Sequence, residues 1–167
     1  MKKKCDIYDW HGWRQNDLWT LEIDDLYKTN LKTMQKLYKF YFVAKKTKIM
    51  SLEDIIDFYT REINLDLLPE QLSSCWGMSK STVDNDVKQR TKYFVAPFVE
   101  FLEFFARLAR LKFKDSPTLK NSSLAEKIMA LMDIVFPAIQ CVRKEVVIEV
   151  EYVSCSEEEL IEDKYFI

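Results

Sequence analysis

Residues 97–113, PFVEFLEFFARLARLKF, constrain the fold more than any other stretch of this chain. A helix turns about 100° per residue. That step places Phe98, Phe101, Leu102, Phe105, Leu108 and Ala109 on one side, and Glu100, Glu103, Arg107, Arg110 and Lys114 on the other. Acids come first and bases last, which suits the helix dipole. Glu103 precedes Arg107 by one turn, in the favourable order. Pro97 falls in the first turn, where proline is harmless. Phe104 and Leu111 lie beside the main stripe and widen the apolar face to about half the circumference, more than an ordinary surface helix carries. These residues predict the central helix of a helical domain. Phe104 and Leu111 have two readings: contact with a second helix of the same domain, the usual fate of an apolar stripe, or part of a partner surface. The acids of the far side, Glu100 and Glu103, read as members of surface ion pairs.

Composition limits what such a domain does. The chain has 167 residues, which suits one domain, or one domain with an arm and a tail. Hydrophobic residues make up 48%, ample for a core, and aromatics 14%, which favours large buried contacts or adhesive surfaces. There are only 2 glycines, which argues against Gly-rich phosphate loops and dinucleotide-binding turns. A net charge of −2 provides no global field for nucleic acid or anionic membrane. Cys5, Cys75, Cys141 and Cys155 are far apart, and with His11 as the sole histidine they make no ordinary zinc motif. They read as reduced thiols of a cytoplasmic protein, and no cofactor is expected. No apolar run has the length of a membrane span, and the basic start MKKKCD is not followed by an apolar signal core.

Along the chain, residues 1–20 form an arm rich in tryptophan. Trp10, Trp13 and Trp19 either fold over the domain's own core or anchor a partner, since tryptophan is enriched among interface hot spots. Residues 21–140 form the helical body. Ile23, Tyr27, Leu31, Met34, Tyr38 and Tyr41 have helical spacing and predict one long helix over 21–44, with Lys28, Lys32, Lys36 and Lys39 on its polar side. A basic loop at 45–48 leads to a helix started by Ser51, with Asp54 in a capping-box arrangement. Pro69 restarts the chain direction, and a short helix follows that Gly77 stops. Ser79 or Ser81 caps another short helix running to about Arg90, with Val83 and Val87 as its core residues. Residues 93–96 are extended. Ser123 and Glu126 form a second capping box, for a helix carrying Ile128, Leu131, Met132, Val135 and Phe136. Residues 141–153 include the Val- and Ile-rich alternation of 145–153 and read as a single strand. A strand with no long neighbour must pair with a short local segment or with another molecule. Residues 154–167 are an acidic tail.

Two units repeat the order helix, loop, extended pair, acid, apolar helix: KKTKIMSLEDIIDF and YFVAPFVEFLEFF. This resembles the EF-hand superfamily over about 21–113, with Glu53 and Glu100 where the last loop ligand stands. The fold class expected is mainly α: two EF-hand-like helix-loop-helix units plus an extra helix and one C-terminal strand. The ligand positions depart from the family. A calcium loop needs side-chain oxygens at its first, third and fifth positions, and usually glycine at the sixth. Here those positions hold Gln89, Thr91, Tyr93 and Phe94 in one unit, and Phe42, Ala44, Lys46 and Thr47 in the other. No metal is expected. The pattern is similar to degenerate EF-hand-like modules of ciliary and axonemal scaffold proteins. That resemblance implies a structural or adaptor protein in a microtubule-based, cytoskeletal assembly, with other proteins as partners and no membrane.

Two other functions are weighed. Residues 72–88, LSSCWGMSKSTVDNDVK, look like a helix-turn-helix in which Lys80, Ser81, Asn85, Lys88 and Arg90 would face nucleic acid. Asp84 and Asp86 have the wrong sign for a polyanion, and a simple helical corner is the commoner meaning of so short a motif. A calcium sensor is the other alternative. Enzyme readings lack residues: His11 lies in the arm and gives a triad no support within the folded body, and Cys75 has no local histidine and reads as a buried thiol.

Overall fold

The computed structural model describes residues 10–45, 50–81, 85 and 87–146. Among them the chain is mainly α, with one small antiparallel sheet. The helices are α1 (Trp10–Trp13, continued by a π-turn over Arg14–Leu18), α2 (Leu21–Thr29), α3 (Leu31–Lys45), α4 (Leu52–Asp57, with a π-turn over Phe58–Glu62), α5 (Pro69–Ser79), α6 (Phe98–Lys112) and α7 (Leu124–Val135). Short 3-10 turns cover Arg90–Tyr93 and Phe136–Ile139. Strands β1 (Met50–Ser51) and β2 (Val95–Ala96) pair with Met50 opposite Ala96 and Ser51 opposite Val95. Each strand runs directly into a helix, β1 into α4 and β2 through Pro97 into α6. No helix among the described residues is long and apolar enough to cross a membrane.

Helix α6 is the centre. Phe101, Phe104, Phe105, Ala106, Leu108 and Ala109 are all fully buried. It packs against α5 on one side and α7 on another. Phe104 lies between Tyr59 and Trp76, with ring centroids 6.0 and 6.2 Å away. Phe101 makes tilted ring contacts with Tyr38 and Phe105, at centroid distances of 5.5 and 6.1 Å. Burying each such ring stabilises the fold by roughly 1.5–3 kcal/mol. Both expected capping boxes are present: Ser51 with Asp54, and Ser123 with Glu126.

Several elements differ from the sequence expectation. The long helix over 21–44 is two helices, broken at Asn30. That residue is buried and its amide does what a helical neighbour would not. Its Nδ2 donates to the carbonyls of Leu26 and Lys144, each at 3.1 Å, and its Oδ1 accepts the Lys144 N–H at 2.7 Å. The side chain thus imitates a strand partner for the chain at Lys144. Gly77 does not stop α5, which continues to Ser79. The helix expected up to Arg90 is absent among the described residues: Asn85 lies in no regular element, Val87–Lys88 is a turn, and the chain tightens into 3-10 geometry only at Arg90. Val87, expected in the core, is 90% exposed. Residues 141–146 carry no regular element, and the rest of the expected strand, 147–153, lies outside the described residues, as do the acidic tail and most of the basic loop at 45–48.

Candidate functional site

The polar side of α6 is where the chemistry-bearing residues meet. Glu100 and Glu103 stand three residues apart on its first two turns, and both are buried. The surface ion pairs expected there are internal, because α6 is covered on its polar side as well. The N-terminal arm covers one part and the end of α5 with the chain after it covers the other.

At Glu103 the cover is the arm. Arg14 donates from Nε to both carboxylate oxygens, at 2.9 and 2.8 Å, and from Nη2 to the carbonyl of Lys80 at 3.0 Å. Arg107, one turn on, donates from Nε and Nη2 to Glu103 Oε1 at 2.9 and 2.8 Å. Its guanidinium lies 4.1 Å from the Trp13 ring centroid, with Arg110 6.0 Å from the same ring. Two arginines on one buried carboxylate are a strong charge-assisted arrangement. Burial pulls the Arg107 pKa below its usual value, and Glu103 opposes that. Beside them Cys75 is buried, and burial pushes its thiol up to about 11, against a smaller opposing pull from Arg107.

At Glu100 the partner is Lys80, the residue that ends α5. Lys80 Nζ donates to Glu100 Oε2 at 3.1 Å and to the carbonyl of Val95. It also lies 3.9 Å from the Trp76 ring centroid. The other Glu100 oxygen accepts the Ser81 N–H at 2.9 Å. Burial lowers the Lys80 pKa, and the Glu100 hydrogen bond opposes the shift. Trp76 Nε1 donates to the Tyr93 carbonyl, and Tyr38 Oη to the Ala96 carbonyl. The carbonyls flanking and within β2 are therefore held by side chains from α3 and α5.

Above this pair the surface is open. A cleft of about 230 Å³ is lined by Ser81, Lys92, Val95, Pro97 and Glu100. On the segment that supplies most of its lining, Tyr93 is 41% exposed, Phe94 59% and Val99 62%. Lys88, Arg90 and Lys92 are exposed on the preceding turn. We call these residues the lip of α6.

The residues singled out from sequence are thus distributed unevenly. Trp13 is buried in the body, while Trp19 is 42% exposed. Trp10 opens α1, and its side chain lies outside the described residues. Phe104 is fully buried among aromatic rings and is closed to any partner, and Leu111 is half-buried against the core. Of the nucleic-acid set, Lys80 is buried on Glu100 and unavailable to a phosphate. Ser81, Asn85, Lys88 and Arg90 are exposed, but they stand on coil and turn, not on a reading helix. Asp84 and Asp86 lie outside the described residues. Tyr93 and Phe94 read as part of an extended piece over 93–96; in the structure Tyr93 ends a 3-10 turn, Phe94 lies in a turn, and only Val95–Ala96 is strand. The available signal was their place in a segment with three cations and no acid between Val87 and Val99. Set against family models, curated proteins and solved structures, the chain finds no match in any of the three.

Proposed function

We propose that this chain is a non-enzymatic structural or adaptor protein, built on two EF-hand-like helix-loop-helix units that work without metal, and that it docks other proteins at the lip of α6. The observation that carries the reading is the contrast around Glu100. The chemistry-bearing side chains of the body, Cys75, Lys80, Glu100, Glu103 and Arg107, are buried, and the four charged ones are engaged with one another or with Arg14. The aromatic and aliphatic side chains of Tyr93, Phe94 and Val99 are presented to solvent beside them. Contiguous exposed apolar residues rimmed by charge are the usual mark of a protein-docking surface.

The EF-hand-like reading is supported by the β1–β2 pairing, with each strand feeding directly into a helix. It is supported also by Lys80. Where a calcium-binding hand would set a carboxylate against an ion, Glu100 is set against an ammonium group from its own chain. An internal cation makes a resident ion redundant. The resemblance to axonemal scaffold modules directs the search for partners to microtubule-based ciliary assemblies.

The test replaces Phe94 by a photo-crosslinking aromatic residue in the full chain, expressed in its native cell. Crosslinks from Phe94 to other proteins are the expected result. A monomeric chain with no crosslinked protein at Phe94 or at a second probe on Trp19 overturns the reading. Titration calorimetry with millimolar calcium is expected to be silent, and saturable heat would replace the adaptor with a sensor.

A further inference from the structure

We propose that the lip of α6 takes this chain's own acidic C-terminal segment, residues 156–167, as a competing occupant. The inference rests on the docking reading above and names the chemistry that the surface recognises: an acidic segment carrying aromatic and aliphatic side chains.

Charge is the first support. Between Val87 and Val99 the chain has Lys88, Arg90 and Lys92 and no acid. All three are exposed, and among the described residues none is in an ion pair. Glu100, the carboxylate lining the cleft, is already compensated by Lys80 and the Ser81 N–H. The exposed Tyr93, Phe94 and Val99 follow these cations on the same segment, whose Lys92, Val95, Pro97 and Glu100 line the cleft. Residues 156–167, SEEELIEDKYFI, carry the complement. Glu157, Glu158, Glu159, Glu162 and Asp163 supply the negative charge, and Leu160, Ile161, Tyr165, Phe166 and Ile167 the apolar surface.

Reach is the second support. The described chain ends at Val146, just after Lys144 is held by the Asn30 amide. Asn30 stands at the start of α3, and Tyr38, eight residues along that helix, donates to the Ala96 carbonyl in β2. Eight helical residues rise about 12 Å. The nine residues 147–155 span up to about 30 Å when extended. The tether therefore exceeds the gap between its anchor and the sheet beside the lip. A nucleic acid fits less well, because the buried Lys80 leaves three cations, and a phosphate backbone would cover neither Val87 nor Val99.

The experiment uses the full chain with the photo-crosslinking residue at Phe94, as an equal mixture of isotopically heavy and light protein, read by mass spectrometry. Crosslinks to 156–167 within one chain are expected. Their yield should fall about fivefold or more in 1 M salt, where screening acts over about 3 Å. A similar fall is expected in the variant Lys88→Glu, Arg90→Glu, Lys92→Glu, with its helicity checked by circular dichroism. The salt arm needs no variant and stands even if the triple variant unfolds. Crosslinks only elsewhere in the chain, crosslinks joining heavy to light chains, or a yield indifferent to salt would overturn the proposal, as would displacement of the crosslinks by added single-stranded RNA. Crosslinks to foreign protein without any to 156–167 sink this inference and leave the adaptor reading standing. Intrachain crosslinks with no foreign partner do the reverse.

Discussion

Glu103 and Glu100 are neighbours on one helix, and each is a buried carboxylate that meets a cation from another element, Arg14 or Lys80, with a tryptophan ring against one of its cationic partners: Trp13 against Arg107 and Trp76 against Lys80. Their surroundings are opposite. Glu103 serves two arginines and lies under the N-terminal arm, so its charge network holds the arm to the body across 89 residues of chain. Glu100 serves one lysine and one backbone amide and borders an open cleft. The same chemistry therefore closes one end of the polar side of α6 and leaves the other accessible. Buried ion pairs add little net stability against a well-packed apolar alternative, yet breaking one is costly. Their value here is placement: one fixes the arm, and the other fixes β2 and the lip beside it.

The largest expected effect tests the closed end. Glu103→Ala strands Arg14 and Arg107 without their carboxylate and should destabilise the protein by about 3–5 kcal/mol, measured by urea unfolding. A loss below about 1 kcal/mol would mean that the arm is held by Trp13 and Leu18 packing alone. At the open end Lys80→Met should cost less, about 2 kcal/mol, because the cleft lets water reach the stranded Glu100. Adding Glu100→Gln should then recover part of the loss, since a neutral pair has no buried charge to compensate. An equal cost at both ends would remove the distinction between them.

The two ends should also respond oppositely to alkali. Cys75, beside the closed cluster, has a folded-state pKa raised from 9.0 to about 11 by burial. The folded chain holds that proton longer, so the stabilisation is present below pH 9 and is lost as pH rises through about 11. Lys80 has a folded-state pKa lowered from 10.5, chiefly by burial. There the unfolded chain binds more protons, so stability gains with pH in the window just below 10.5. The thiol shift corresponds to about 3 kcal/mol. Cys75→Ser, which has no titrating thiol, should therefore show a shallower loss of stability from pH 9 to 11 than the parent. Lys80→Met should show a steeper one. Parallel profiles for all three would refute both assignments.

How much of this was legible beforehand follows from what local pattern encodes. The apolar face of α6 was, because a period of 3.6 residues reports burial directly, and the boxes at Ser51 and Ser123 were, because capping is decided within four residues. The polar side of α6 was misjudged for a physical reason. Glu103 and Arg107 look like an ordinary exposed pair along the chain, and only Arg14, far away in sequence, makes them interior. Asn30 was equally opaque: the residue that breaks the helix there is satisfied by Lys144, 114 positions on. The lip was hidden by its composition. Tyr93 and Phe94 have the residue types of a core strand, and nothing local says that Trp76 would hold the Tyr93 carbonyl while leaving both rings outside.

The smallest expected effect on stability is the most informative about function. Phe94→Ser and Val99→Ser remove side chains that are already more than half exposed, so each should change the unfolding free energy by no more than about 0.5 kcal/mol. Phe104→Ser, five residues from Val99 on the same helix, should by contrast cost about 4 kcal/mol, since it empties a closed aromatic site and leaves a hydroxyl in it. If the lip is a docking surface, the two exposed substitutions abolish partner crosslinking while the fold stays intact. If they lower stability as Phe104→Ser does, Tyr93, Phe94 and Val99 are packing residues, and the open end of α6 is only a less complete version of the closed one.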